Sequence, residues 1–179
     1  MGISRLLLKW IGWKVDVGVP DYPKAVICVA PHTGNFDFFL CELAICSVGR
    51  KAGFLMKKSW FFWPLGKLLR AMGGVAVDRS RSTSLTDQLV QRYATESRLV
   101  LAFAPEGTRS LTTRWHTGFL RVAKEAGVPL LLAVIDGGTR TVRMTETYQP
   151  TDDAQADLAA IKKYYSQFTA IHPEKFSTD

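Results

Sequence analysis

Lys24-Ala25-Val26-Ile27-Cys28-Val29-Ala30, bounded by Pro23 and Pro31, is the stretch on which the fold turns. β-Branched residues between two prolines predict a buried strand, which delivers Pro31-His32 at its carboxyl end. A Gly34-Asn35 turn follows, and Phe36 to Ser47 reads as a helix with Phe39, Leu43 and Cys46 on one side. That strand, loop and helix then recur. Ala52 to Met56, Gly74 to Val77 and Arg98 to Ala104 read as strands. A proline-broken helical stretch from Ser59 to Met72 and a helix from Ser84 to Thr95 lie between them. Beyond a Gly107-Thr108 turn come a helix over Thr113 to Ala126, strands over Val128 to Ile135 and Thr139 to Thr147, and a closing helix from Asp152 to Phe168. The alternation predicts one α/β domain over residues 1–179, with a mostly parallel central sheet flanked by helices. Ligands of such sheets gather beyond the carboxyl ends of the strands.

Upstream of the deciding strand, Trp13 to Gly18 reads as a further strand. Residues 1–12 form a short amphipathic helical segment, with Ile3, Leu6, Leu7, Trp10 and Trp13 within one broad face and Arg5 and Lys9 opposite. That face either packs on the core or meets a membrane interface. A chain of 179 residues supports one ordinary core, and no apolar run approaches the roughly 20 residues of a membrane-spanning helix. The net charge of +7 is uneven: residues 1–144 hold 20 basic and 10 acidic side chains, residues 145–179 hold 3 and 6. The surplus favours an anionic partner: nucleic acid, a phosphorylated substrate or an anionic membrane surface. Cys28, Cys41 and Cys46 lack C-x-x-C or zinc-site spacing, so they are expected to be reduced core residues of a cytoplasmic protein. No metal site is expected.

Three strand ends carry the candidate chemistry. His32 leaves its strand five positions before Asp37. Five helical steps would set them about 140° apart, so the loop must fold back for Asp37 to fix the tautomer of a His32 general base. The alternative is that Asp37 simply occupies the first helical turn. Pro105-Glu106-Gly107-Thr108-Arg109-Ser110 ends another strand. Its glycine permits a tight turn and its arginine offers a planar fork to phosphate oxygens, unless Glu106 and Arg109 merely satisfy each other. Gly74 to Arg79 ends a third. His116 and His172 are expected to be structural.

In this order the clusters resemble the glycerolipid acyltransferase superfamily, the group that includes 1-acylglycerol-3-phosphate acyltransferases. His32-x-x-x-x-Asp37 is similar to its first block, Gly74 to Arg79 to its second, Pro105 to Ser110 to its third, and Val128-Pro129 with the following strand to its fourth. The resemblance implies transfer of a fatty acyl group from a thioester of coenzyme A or acyl carrier protein to a lysophospholipid hydroxyl, with no cofactor beyond that co-substrate. It implies His32 as the base, Asp37 as its orienting partner, and Arg109 on the acceptor phosphate, with Glu106, Gly107 and Thr108 shaping that site and Arg79 as a second cation. The chain departs from the pattern where Ala104 replaces a common Phe, and in a short stretch before the first strand instead of a longer membrane-embedding helical pair.

Lys57, Lys58, Lys67 and Arg70 interleave with Trp60, Phe61, Phe62 and Trp63, either as a solvated face over core aromatics or as a surface for lipid headgroups or the acidic carrier. Together with Ile3, Leu6, Leu7, Trp10 and Trp13, this suggests peripheral attachment at the inner face of the membrane and no nucleic-acid partner. Two competing readings stand beside this one: a thioesterase or other hydrolase in which His32 and Asp37 activate water, and a non-catalytic module that binds anionic lipid through the interleaved lysines and aromatics and does not require His32 and Asp37. Gly-x-Ser-x-Gly, Walker A and His-Glu-x-x-His motifs are absent from the sequence.

Overall fold

The computed structural model describes residues 2–77 and 84–179. Its elements follow in chain order: α1 Gly2–Trp10, β1 Lys14–Val17, β2 Lys24–Ala30, α2 Asn35–Ser47, β3 Gly53–Lys57, α3 Leu65–Ala71, β4 Gly74–Val77, α4 Leu85–Thr95, β5 Leu99–Phe103, α5 Gly118–Glu125, β6 Leu130–Asp136, β7 Thr141–Tyr148 and α6 Ala154–Tyr165. Short 3-10 turns occupy Lys58–Trp60 and Pro173–Lys175. This is the single α/β domain that the alternation predicts.

The seven strands form one sheet in the order β1-β7-β6-β2-β5-β3-β4. Every neighbouring pair is parallel except β6 and β7, which run antiparallel through a tight connection. The deciding strand lies mid-sheet between β5 and β6, and Ala25 to Ala30 are all buried, as a strand covered on both faces must be. Alternate residues of β2 feed two cores. Val26, Cys28 and Ala30 pack with Tyr93, Phe119, Leu120, Ile161 and Tyr165 on one face. Ala25, Ile27 and Val29 pack with Leu8, Leu40, Ala44 and Val142 on the other. Tyr165 and Tyr93 are fully enclosed, and each hydroxyl donates to a β2 carbonyl: Tyr165 to Cys28 at 2.7 Å and Tyr93 to Ala25 at 2.8 Å. Two buried phenols therefore pin the strand that carries the site.

Several local expectations need correction. In α2 the buried face is Leu40, Ala44 and Ser47, while Phe39 and Cys46 are exposed, so only Cys28 of the three cysteines is a buried core residue. Helix α5 begins at Gly118 and not at Thr113, because His116 N–H donates to Pro105 O at 2.8 Å and Trp115 turns inward against Tyr165. Helix α1 buries Leu8 and leaves Ile3, Leu6, Leu7 and Trp10 exposed, Trp10 by 85%. Of the two alternatives the sequence leaves for this stripe, packing on the core is the one the exposure disfavours. No helix among the described residues is long and apolar enough to cross a membrane.

Candidate active site

β2 and β5 are parallel neighbours with Cys28 opposite Phe103, so the loops that leave their carboxyl ends rise side by side. His32 and Glu106 therefore stand at the same level above the sheet, and the backbone N–H of His32 donates to Glu106 Oε1 at 2.9 Å. Asp37 reaches back from the first turn of α2. Its Oδ2 accepts the N–H groups of Thr33 at 2.5 Å and Gly34 at 2.8 Å, which satisfies two donors at the helix start and folds the loop over. The fold brings His32 Nδ1 to 3.8 Å from Asp37 Oδ2. That is ion-pair range and longer than a hydrogen bond, in line with catalytic contacts that tighten when substrate binds. Asp37 is 1% exposed, and its second oxygen, Oδ1, has no partner among the described residues.

Burial holds the His32 imidazole below its ordinary range. Asp37 works against this shift, while the nearby Arg109 cation pushes in the same direction as burial. His32 is thus neutral near pH 7 and free to take a proton. Glu106 is 6% exposed, and burial pushes its carboxyl up to about 7, against the hydrogen bonds it accepts from its own and the His32 backbone. Its Oε2 has no partner among the described residues. A carboxyl raised on folding keeps its proton longer in the folded chain, so its stability contribution is lost as pH rises from about 4.5 through about 7. Glu106→Gln does not titrate. Relative to wild type it is expected to gain about 2 to 3 kcal/mol of stability between pH 5 and pH 8. Denaturant unfolding at the two pH values checks this, and an unchanged difference counts against it.

Glu106 and Arg109 do not pair. The Arg109 guanidinium instead donates through Nη1 to Asn35 Oδ1, at the first residue of α2, and remains exposed. Gly107 has φ +64°, and a β-carbon there would lie 2.8 Å from His116 Cδ2 and 2.9 Å from Nε2, so both the turn and the overlying ring require glycine. Thr108 Oγ1 accepts the Ser110 N–H at 3.2 Å and rounds off the turn. Among the described residues no group of His, Cys, Asp or Glu side chains is arranged to hold a metal ion.

A neutral histidine beside a buried carboxylate, with an arginine over the same helix start, can deprotonate a hydroxyl and hold an anionic group close by. The family model for Acyltransferase matches residues 17–136, which contain this whole arrangement. The chain belongs to the acyltransferase family. No curated protein matches it. The match places the acyltransferase within the glycerolipid superfamily whose blocks the sequence resembles, and the family as a whole uses an acyl donor and a lipid acceptor.

The acyltransferase gathers His32, Asp37, Glu106, Gly107 and Arg109 at one end of the sheet, whereas Arg79 lies outside the described residues. Glu106 meets the His32 loop through its backbone and is shut off from solvent, a partnership that local spacing does not reveal. The structure also brings the two histidines set aside from sequence to the same end: His116 over Gly107, and His172 beside Gly34, whose β-carbon position is 3.5 Å from His172 Cδ2. His172 is 138 positions beyond Gly34, and no local signal in the chain connects them.

Proposed function

We propose that this acyltransferase moves a fatty acyl group from a thioester of coenzyme A or acyl carrier protein to the hydroxyl of a lysophospholipid such as 1-acylglycerol-3-phosphate. The observation that carries the reading is the neutral His32 imidazole, 3.8 Å from buried Asp37, on the loop next to that of Arg109. His32 takes the acceptor hydroxyl proton as the oxygen attacks the thioester carbonyl, and Asp37 stabilises the imidazolium. The tetrahedral adduct collapses with cleavage of the carbon–sulfur bond, the thiolate recovers the proton, and an ester and a free thiol leave. No covalent acyl-enzyme is involved. Arg109 holds the acceptor phosphate, Gly107 and Thr108 form the turn beside it, and Glu106 fixes that turn to the His32 backbone.

The acceptor is delivered from a lipid surface in this reading. Ile3, Leu6, Leu7 and Trp10 face outward on α1, with Arg5 and Lys9 close by. Trp13 meets the Phe36 ring edge-on at 6.5 Å, which continues the apolar band to the first turn of α2, one residue from Asp37. Trp60, Phe62 and Trp63 are exposed as well, beside basic Lys67 and Arg70. Such surfaces suit peripheral binding to an anionic leaflet, here the cytoplasmic one.

The deciding experiment measures transfer from labelled acyl-coenzyme A and acyl carrier protein to a panel of lysophospholipids in anionic vesicles. Wild type is expected to acylate phosphate-bearing acceptors and to pellet with the vesicles, less so after Leu6→Ser and Trp10→Ser. Acyl release that ignores the acceptor would instead mean hydrolysis. Arg109→Ala is expected to raise the acceptor KM by about 10- to 100-fold, the worth of a charge-assisted contact. It also removes a cation that depresses the His32 pKa. The acid limb of kcat/KM, which lies below 6.5 in wild type, therefore moves to higher pH in Arg109→Ala. A stationary limb would separate Arg109 from the base.

A further inference from the structure

The segment after α6 is tied back across the carboxyl ends of the strands. Gly137 N–H, just past β6, donates to Thr169 O at 2.7 Å. Further along, Trp115 Nε1 donates to Ser177 O at 3.2 Å and the Trp115 ring packs on Phe176. His172 lies between these two ties. Its ring sits against the turn between β2 and α2, with Cδ2 and Nε2 at 3.5 and 3.6 Å from the β-carbon position of Gly34. The other nitrogen, Nδ1, faces Glu174 Oε1 at 3.7 Å.

This arrangement parallels that of His32, whose Nδ1 also faces a carboxylate and leaves Nε2 available. Gly34 and Asn35 are thus met from two sides, by His172 against the first and by Arg109 through its hydrogen bond to the second. Both side chains are accessible from solvent, His172 by 45%. Helix α2 begins there, so the positive end of its dipole points to the same place. We propose that His172 is a second ligand for the acceptor's phosphate, acting with Arg109 across the Gly34-Asn35 turn. The proposal rests on the assignment of the phosphate to Arg109. A phosphate monoester carries close to two negative charges, more than one guanidinium neutralises. An imidazolium whose Nδ1 faces Glu174 across 3.7 Å can donate to a phosphate oxygen through Nε2. His172 lies beyond the 17–136 matched to the family, so it adds to the site from a different part of the chain.

Calorimetric titration of the full chain with glycerol 3-phosphate and with inorganic phosphate, together with KM and kcat for 1-acylglycerol-3-phosphate, tests this on His172→Ala, His172→Gln, His172→Lys, Glu174→Gln and Arg109→Ala. His172→Ala and His172→Gln are expected to weaken glycerol 3-phosphate binding and raise KM by about tenfold, with kcat changed less than about threefold. His172→Lys restores most of the affinity, and Glu174→Gln costs about twofold. If the Ala variant unfolds early, the Gln and Lys pair decides: both weak overturns the proposal, because then the loss is structural. An unmoved KM, or a kcat loss at constant KM, also overturns it, the latter pointing to the thioester oxyanion. Binding lost in Arg109→Ala but kept in the His172 variants removes His172 alone. Binding kept in Arg109→Ala, or absent from wild type at millimolar ligand, removes the phosphate assignment and His172 with it.

Discussion

His32→Ala is expected to lower kcat for acyl transfer about a thousandfold, in the middle of the range attributed to a positioned general base. The loss has a single source. The His32 backbone N–H that bonds Glu106 Oε1 survives the substitution, as does the Asp37 cap on Thr33 and Gly34, so the loop keeps its ties while the imidazole goes. KM for the acceptor is expected to change little, since the proposed phosphate ligand Arg109 stands on the neighbouring loop. Steady-state kinetics with an unfolding measurement on the same preparation gives the answer. Activity within tenfold of wild type in a folded His32→Ala variant would remove the base from the mechanism, and with it the distinction between this domain and a binding module.

Asp37 is expected to show two separable effects. Asp37→Ala deletes the acceptor of two buried N–H groups, those of Thr33 and Gly34, at a cost of about 2 to 4 kcal/mol in stability. Asp37→Asn keeps an oxygen for those donors and loses the charge that stabilises the His32 imidazolium. The Asn variant should therefore stay within about 1 kcal/mol of wild type in urea unfolding while kcat falls by about 10² to 10⁴. A stable Asp37→Asn with full kcat would reduce Asp37 to a helix cap, the alternative that the spacing alone leaves open.

The parts of this molecule legible in sequence are those fixed by local chemistry. Lys24 to Ala30 reads as a buried strand because apolar residues and flanking prolines leave few options, and the structure places it there without a shift of boundary. A parallel sheet then collects the loops at strand ends, so His32 and Arg109 could be singled out before their proximity was known. The helical start at Thr113 misread a stretch in which the His116 N–H is taken by Pro105 O, a contact that leaves no periodic signature. In α1 the period reads as a helix and leaves its direction open: one leucine, Leu8, suffices to seat the helix, and the other apolar residues face outward. The antiparallel turn of β7 along β6 was likewise hidden, because a strand's composition does not encode its direction. The contacts of Glu106 and His172 are tertiary facts throughout. Each partner comes from a different loop, and only the closed sheet brings them together.

The pairing of Cys28 with Phe103 has a consequence for how such a domain can diverge. A strand's side chains alternate faces, so inserting one residue in β2 or β5 would send each side chain to the opposite core and separate His32 from Glu106. The length of those two strands is therefore locked to the reaction. Residues 166–179, which touch the site only from outside the sheet, carry no such constraint. With His172 in its proposed role, changes in that tail would retune which acceptor fits while leaving the proposed base, His32, in place.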